Sequence, residues 1–277
     1  MSNLVSTKWL AAHLGEVRVV DASWYMPGEK RAPAKEFETG HIPGAVFFDI
    51  DAVSDHATDL PHMLPAPGAF ATAAGALGIG NGETVIVYDG SGIFSAPRVW
   101  WMLKAMGHGD VKVLDGGLPK WVREGRALES GAAKPAAKPF TANTRHEIVR
   151  GFDDIMRIVR DQSARMVDAR SAGRYTGTEA EPRAGVRGGH MPGAANVHFR
   201  SLLTAEGTFK SPVELRAEFE KAGVDVTRPI VTTCGTGVTA AILMLALEEI
   251  GAADVALYDG SWTEWGSRPE APVTTDP

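Results

Sequence analysis

The chain is poor in cysteine, with one residue, Cys234, among 277. A lone thiol excludes an internal disulfide and a cysteine-built zinc site, and no metal is expected. The sequence has no run of about 18 apolar residues, the length that a membrane-spanning helix needs, so no membrane partner is expected. Positive charge is in deficit, with 28 Lys+Arg against 34 Asp+Glu and a formal net charge of −6. Bulk charge therefore gives no reason to expect nucleic acid or an anionic lipid surface. The opening Met1-Ser2-Asn3-Leu4-Val5-Ser6-Thr7-Lys8 has neither the basic start nor the apolar core of a secretory leader. The cytoplasm is the simplest expected location. The remainder, 44% hydrophobic and 22% charged, has the composition of a soluble globular protein. Its length suits two domains of ordinary size.

Those two domains are visible as a repeat. His41-Ile42-Pro43-Gly44-Ala45 answers His190-Met191-Pro192-Gly193-Ala194, and Val20-Asp21-Ala22-Ser23 answers Val167-Asp168-Ala169-Arg170. Val85-Ile86-Val87-Tyr88-Asp89-Gly90-Ser91-Gly92 answers Ile230-Val231-Thr232-Thr233-Cys234-Gly235-Thr236-Gly237. Leu114-Asp115-Gly116-Gly117 with Trp121 answers Tyr258-Asp259-Gly260-Ser261 with Trp265. Four matches in one order, at nearly constant offset, point to two copies of one fold. Between them, residues 130–139 carry no hydrophobic periodicity and read as an extended linker. The expected organisation is residues 1–128 as a non-catalytic domain, 129–145 as the linker and 146–277 as the catalytic domain.

Each half alternates short apolar strands with helices. In the first half Ser6 is placed to cap a helix carrying Trp9, Leu10 and Leu14. Strands are expected at 17–21, 84–88 and 111–114, and helices at 69–77, 96–106 and through Trp121. The second half repeats this with strands at 166–168, 230–233 and 255–258, and helices at 152–160, 213–222 and 239–250. Near-continuous apolar strands between helices predict an α/β fold with a buried open parallel sheet and helices on both faces. In such sheets the reactive site lies beyond the carboxyl ends of the strands, which is where Cys234 falls.

Cys234 opens Cys234-Gly235-Thr236-Gly237-Val238-Thr239, between a β-branched strand and an apolar helix. A strand-to-helix turn built from glycines converges backbone N–H groups at a helix N-terminus, and so favours an anion. Such surroundings lower a cysteine pKa from about 8.5 to roughly 3.5–7.5. The alternative is inert packing, since free cysteine is among the most buried residue types; the Gly-Thr-Gly context favours a nucleophile. In the first half Asp89 replaces the cysteine. That half is expected to add stability and a wall of the site, because pockets favour domain interfaces.

With these residues in place the chain resembles the tandem-domain sulfurtransferases of the rhodanese superfamily, on their mercaptopyruvate branch. The resemblance rests on Asp21-Ala22-Ser23-Trp24-Tyr25, Phe37-Glu38, His41-Ile42-Pro43-Gly44 and His62-Met63-Leu64-Pro65. It continues through Tyr88, Ser95-Ala96-Pro97-Arg98-Val99-Trp100-Trp101, Arg174-Tyr175, Gly177-Thr178-Glu179 and Glu181-Pro182-Arg183. It ends with Cys234 to Ala240 and Asp259-Gly260-Ser261-Trp262. It implies two tandem rhodanese-like domains. It also implies transfer of sulfur from 3-mercaptopyruvate, through a Cys234 persulfide, to cyanide or a thiol acceptor such as thioredoxin, without a cofactor. Thiosulfate as donor is the alternative within the class, and a non-catalytic sulfur carrier or binding module the alternative outside it. Thiosulfate-preferring members typically carry basic residues after the cysteine, whereas here Gly235 and Thr236 stand there.

The resemblance places Arg174 and Arg183 on the substrate carboxylate and carbonyl, a task suited to the planar guanidinium fork. Solvated surface arginines are the alternative, and Arg187 lies close enough in sequence to take part instead. The amides of Gly235, Thr236, Gly237, Val238 and Thr239 are expected to hold the persulfide, with the Thr236 hydroxyl near the leaving group and Thr239 capping the helix. His41 is a candidate proton relay, although His190 holds the equivalent place and argues for a shared fold role. Relatives use an acid shortly before this histidine, and 31–35 contains none; His62 likewise follows Pro61 instead of an acid, which counts against a role for it. A phosphatase of related fold would need an arginine closing a longer loop. This loop closes with Thr239-Ala240.

Overall fold

The computed structural model describes residues 2–133 and 135–275. Lys134, within the expected linker, and the last two residues of the expected catalytic domain lie outside the described residues, as does Met1. The first half forms β1 (Leu4–Val5), α1 (Thr7–Ala12), β2 (Arg18–Asp21), α2 (Pro33–Thr39), β3 (Val46–Phe47), α3 (Pro67–Ala76), β4 (Val85–Tyr88), α4 (Ala96–Ala105), β5 (Val111–Leu114) and α5 (Gly117–Arg123). The second half forms β6 (Val149–Arg150), α6 (Phe152–Asp161), β7 (Arg165–Asp168), α7 (Ala172–Thr176), β8 (Ala195–Asn196), α8 (Pro212–Lys221), β9 (Ile230–Thr233), α9 (Ala240–Glu249), β10 (Val255–Tyr258) and α10 (Ser261–Ser267).

Two five-stranded sheets result, ordered β1-β5-β4-β2-β3 and β6-β10-β9-β7-β8. Every pairing is parallel, and the registers correspond: Asp21 lies opposite Tyr88 as Asp168 lies opposite Thr233. The repeat read from the sequence is thus a repeat of topology. Side chains on a strand alternate between faces. Ile86 and Tyr88 face a core built with Leu10, Phe37 and Trp121, which leaves Val85 and Val87 to the face where α4 packs on β4 and β5. In the second sheet Val231, Ala256 and Tyr258 meet Ile155, Trp262 and Trp265, while α9 packs on β9 and β10. Every residue of α9 from Ala240 to Leu247 is buried, as expected of a helix apolar on all sides.

Two compact units emerge. One gathers residues up to His56, Leu64–Arg145 and Thr204–Phe209; the other takes Ala57–Met63, His146–Leu203 and the chain from Lys210 on. Each half therefore lends a short segment to the other's unit. The stretch read as a linker has no helix or strand in its described part, but it packs on the first unit. Lys138 N–H donates to Gly75 (3.0 Å), Asn143 to Met106 (2.9 Å) and Arg145 to Ala105 (2.7 Å), and the Phe140 ring lies against Phe70.

Ser6 caps α1, its hydroxyl accepting from Trp9 N–H at 3.1 Å. Thr239 does not cap α9, contrary to expectation. It occupies the N-cap position with φ −77° and ψ −15° and makes no side-chain cap bond. A capping side chain reaches the next turn from an extended backbone, and Thr239 is already helical. No helix of the described residues is long and apolar enough to cross a membrane.

Candidate functional site

Cys234 follows the last residue of β9, in the second unit, and is 2% exposed. Six residues, 234–239, carry the chain from strand to helix, and Gly237 takes φ +79° there, a conformation natural to glycine. The first turn of α10 fixes the loop from one side. Trp262 N–H donates to the Cys234 carbonyl and Thr263 N–H to the Gly235 carbonyl, both at 2.9 Å. The Ser261 hydroxyl accepts from Cys234 N–H at 3.2 Å and donates to the Tyr258 carbonyl at 2.9 Å. Among the described residues, the N–H groups of Gly235, Thr236, Val238 and Thr239 meet no acceptor in the protein, and no donor reaches Cys234 Sγ. The loop therefore presents unused donors that are not spent on the thiol itself.

Ser261 reaches its place at φ +48°. For a serine this is a strained conformation, of the kind that clusters at functional sites and costs about 1–3 kcal/mol. Its counterpart Gly117 takes φ +52° without that cost. The Tyr258 hydroxyl, donating to Glu264 at 2.9 Å, is pushed above the ordinary phenol range, first by burial and then by the Glu264 charge.

His62 stands where the sequence argued against a role. Its Nδ1 lies 3.1 Å from the Thr236 hydroxyl, and both residues are buried. The segment Ala57–Met63 belongs to the same unit as Cys234, so a histidine distant in sequence becomes a neighbour of the loop. His62 sits at φ +61°, a second strained position, in contact with Thr236 of the loop.

Arg174 lies in α7, capped by Ser171. Its Nη2 is 3.1 Å from where a Cβ on Gly235 would stand. Glu181 fixes it from behind, accepting from Nε at 3.2 Å and Nη2 at 2.5 Å. The same carboxylate accepts from Arg170 Nη1 at 2.6 Å, and Arg170 also pairs with Asp168 at 2.7 Å. Burial pulls the Arg170 guanidinium down, but Asp168 and Glu181 overcome it and the net shift is upward. Two arginines and two carboxylates thus form a chain with formal charges in balance, and Arg174 is its exposed end at 18% side-chain exposure. Arg183 lies in the turn after Pro182 and is half-buried. Arg187 serves elsewhere, donating to the carbonyls of Gly266, Trp265, Arg268 and Ala271 near the end of α10.

His41 belongs to the first unit. Its Nδ1 bonds the Phe37 carbonyl at 2.8 Å and its ring stacks on Phe37 at 4.0 Å. His190 repeats the arrangement on Tyr175, at 2.9 Å and 3.7 Å.

The loop of the first unit is filled by its own side chain. Asp89 Oδ2 accepts from the N–H groups of Phe94 (2.7 Å), Ser95 (3.0 Å) and Ala96 (2.9 Å), and Oδ1 from Ser91 (2.8 Å). A carboxylate there satisfies the counterparts of three amides left open in the Cys234 loop, those of Thr236, Val238 and Thr239, among the described residues.

Comparison with known proteins agrees with this duplicated geometry. The model of the rhodanese-like domain matches residues 6–124 and again 152–268. Human 3-mercaptopyruvate sulfurtransferase is 45% identical over 277 residues, covering 96% of this chain and 93% of the relative. Bovine thiosulfate sulfurtransferase is also 45% identical, over 96% of this chain and 92% of its own length. The crystal structure of SseA from Escherichia coli, described as a 3-mercaptopyruvate sulfotransferase, superposes with a TM-score of 0.87 at 43% identity, covering 95% of this chain and 99% of that one. Two domain matches and near-full-length similarity lead to one conclusion: the chain belongs to the rhodanese-like family, as a tandem two-domain member homologous to the 3-mercaptopyruvate sulfurtransferases.

Proposed function

We propose that the protein transfers sulfur from 3-mercaptopyruvate through a persulfide on Cys234. The observation that carries this reading is the loop itself: a single buried thiol, amides without acceptors, and no donor on Sγ among the described residues. Such a cradle suits an atom one bond beyond the thiol, as the outer sulfur of a persulfide is. Oriented amides stabilise a developing anion where water is excluded.

In the first half-reaction the Cys234 thiolate attacks the donor sulfur. The Sγ–S bond forms, the donor C–S bond breaks, and its electron pair enters the adjacent ketone as an enolate, which takes a proton at carbon to become pyruvate. In this reading Thr236 and His62, in contact at 3.1 Å, relay the donor's thiol proton. Arg174, with Arg183, binds the donor carboxylate and carbonyl. In the second half-reaction a thiol acceptor, or cyanide in an assay, takes the outer sulfur and restores the Cys234 thiolate, so ping-pong kinetics follow. A nucleophile that must return to a free thiolate after each cycle suits a reducing compartment such as the cytoplasm.

Similarity alone does not choose the donor, because relatives named for either donor share 45% identity with this chain. The loop favours the keto acid. Gly235 and Thr236 add no positive charge, and Arg174 Nη2 already crowds the space that a side chain on Gly235 would need. The test is kcat/KM for both donors with cyanide as acceptor. Mercaptopyruvate is expected to exceed thiosulfate by at least about tenfold, the effect of a single charge-assisted contact. Preference for thiosulfate would overturn the assignment of the donor.

A further inference from the structure

Thr263 has no part in the assignments above except as a backbone donor, yet it makes a second bond to the same atom. The Gly235 carbonyl accepts from Thr263 N–H at 2.9 Å and from the Thr263 hydroxyl at 2.7 Å. The peptide unit is planar and trans, and no cis bond occurs among the described residues. In a trans peptide the carbonyl and the following N–H point in opposite directions. A Gly235 carbonyl fixed toward α10 therefore turns Thr236 N–H away from α10, on to the inner side of the loop, and that N–H has no acceptor among the described residues. A donor on the carbonyl also polarises the shared amide and strengthens its N–H.

The first half of the chain supplies an internal control. By the repeat, Trp262 corresponds to Leu118 and Thr263 to Pro119. Leu118 N–H donates to the Asp89 carbonyl at 3.0 Å, as Trp262 does to that of Cys234. Proline has neither an N–H nor a hydroxyl, so Pro119 offers the Gly90 carbonyl nothing. The double anchor is present in the loop that carries the thiol and missing from the loop already filled by Asp89.

We infer that Thr263 is a positioning residue for sulfur transfer: its hydroxyl holds the Gly235–Thr236 peptide so that Thr236 N–H meets the outer sulfur of the Cys234 persulfide. This rests on the reading of Cys234 as the persulfide carrier. The role is indirect, since Thr263 touches the loop backbone and not the reacting atoms.

The experiment uses the full chain with Thr263→Val, which keeps the shape, and Thr263→Ser, which keeps the hydroxyl. Three quantities are read: pyruvate release in a single turnover with mercaptopyruvate, the pH profile of persulfide alkylation, and iodoacetamide alkylation of the unloaded thiol. Thr263→Val is expected to slow pyruvate release about fivefold, the size of one ordinary hydrogen bond, and to move the persulfide profile to higher pH. Alkylation of the unloaded thiol should keep its wild-type rate, and Thr263→Ser should restore the other two. Wild-type behaviour of Thr263→Val overturns the inference. So does a Thr263→Ser variant as slow as the valine one, or a parallel loss of thiol alkylation, which would assign Thr263 to loop integrity. A wild-type protein that gains no sulfur from mercaptopyruvate would instead overturn the proposed function itself.

Discussion

After β4 the chain places a carboxylate and after β9 a thiol, and the surrounding amides differ accordingly. Asp89 accepts from three N–H groups of its own loop and from that of Ala96, the first residue of α4; among the described residues, the Cys234 loop holds four N–H groups without an acceptor. The first loop spans seven residues, 89–95, and the second six. One copy of the loop is filled by its own side chain, and the other leaves its amides open. The same split runs through the preceding strands. Asp21 and Asp168 both accept from the N–H two residues on, but Asp168 is neutralised by Arg170, while burial pushes Asp21 up to about 6. A duplicated scaffold has thus kept its hydrogen-bond geometry and changed the charges that occupy it.

The largest effect should come from making the second loop like the first. Cys234→Asp is expected to lower turnover at least about a thousandfold, as loss of a nucleophile does. Denaturant unfolding should show little loss of stability, because the new carboxylate meets waiting amides. A loss of several kcal/mol would mean that the two loops do not share a cradle.

The converse change, Asp89→Ala, removes the acceptor of four buried or half-buried N–H groups. It should destabilise the protein by about 3 kcal/mol, read by the same unfolding measurement, while Cys234 still accepts sulfur from mercaptopyruvate.

Asp21→Asn tests the second contrast through pH. A carboxyl raised from 3.8 to about 6 in the folded protein binds its proton more tightly when folded. Its contribution is full below about pH 4 and is lost as pH rises through about 6, worth at most about 3 kcal/mol. The asparagine variant should flatten unfolding free energy across that window, and an unchanged slope would remove Asp21 as its source.

Smallest in energy is Arg174→Ala. Loss of charge-assisted bonds worth about 2 kcal/mol should raise KM for mercaptopyruvate roughly thirtyfold with kcat less affected. An unaltered KM would take Arg174 out of substrate binding.

Much of this was legible in the sequence because central strands and long helices carry their own signal. Strands at 230–233 and 255–258 match β9 and β10 to the residue, as does 111–114 for β5. The edge strands β1, β3, β6 and β8 have two residues each, too few for any alternation to show. His62 could not be found locally: its partner lies 174 residues away, and a pattern along one strand or helix carries no trace of such a meeting. Arg170 stood in the repeat opposite Ser23, yet its bridge to Glu181 depends on how the turn after α7 folds back. Ser261 was readable only as the partner of a glycine, and the positive φ shared by the two shows why that substitution is costly and still present.

The most direct test is the mass of the peptide containing Cys234 after the full chain is mixed with one equivalent of mercaptopyruvate and no acceptor. A gain of one sulfur atom on that peptide, with one pyruvate released per chain and no gain in Cys234→Ser, is the predicted result. Pyruvate release with the sulfur found elsewhere, or an unmodified peptide, would contradict the account.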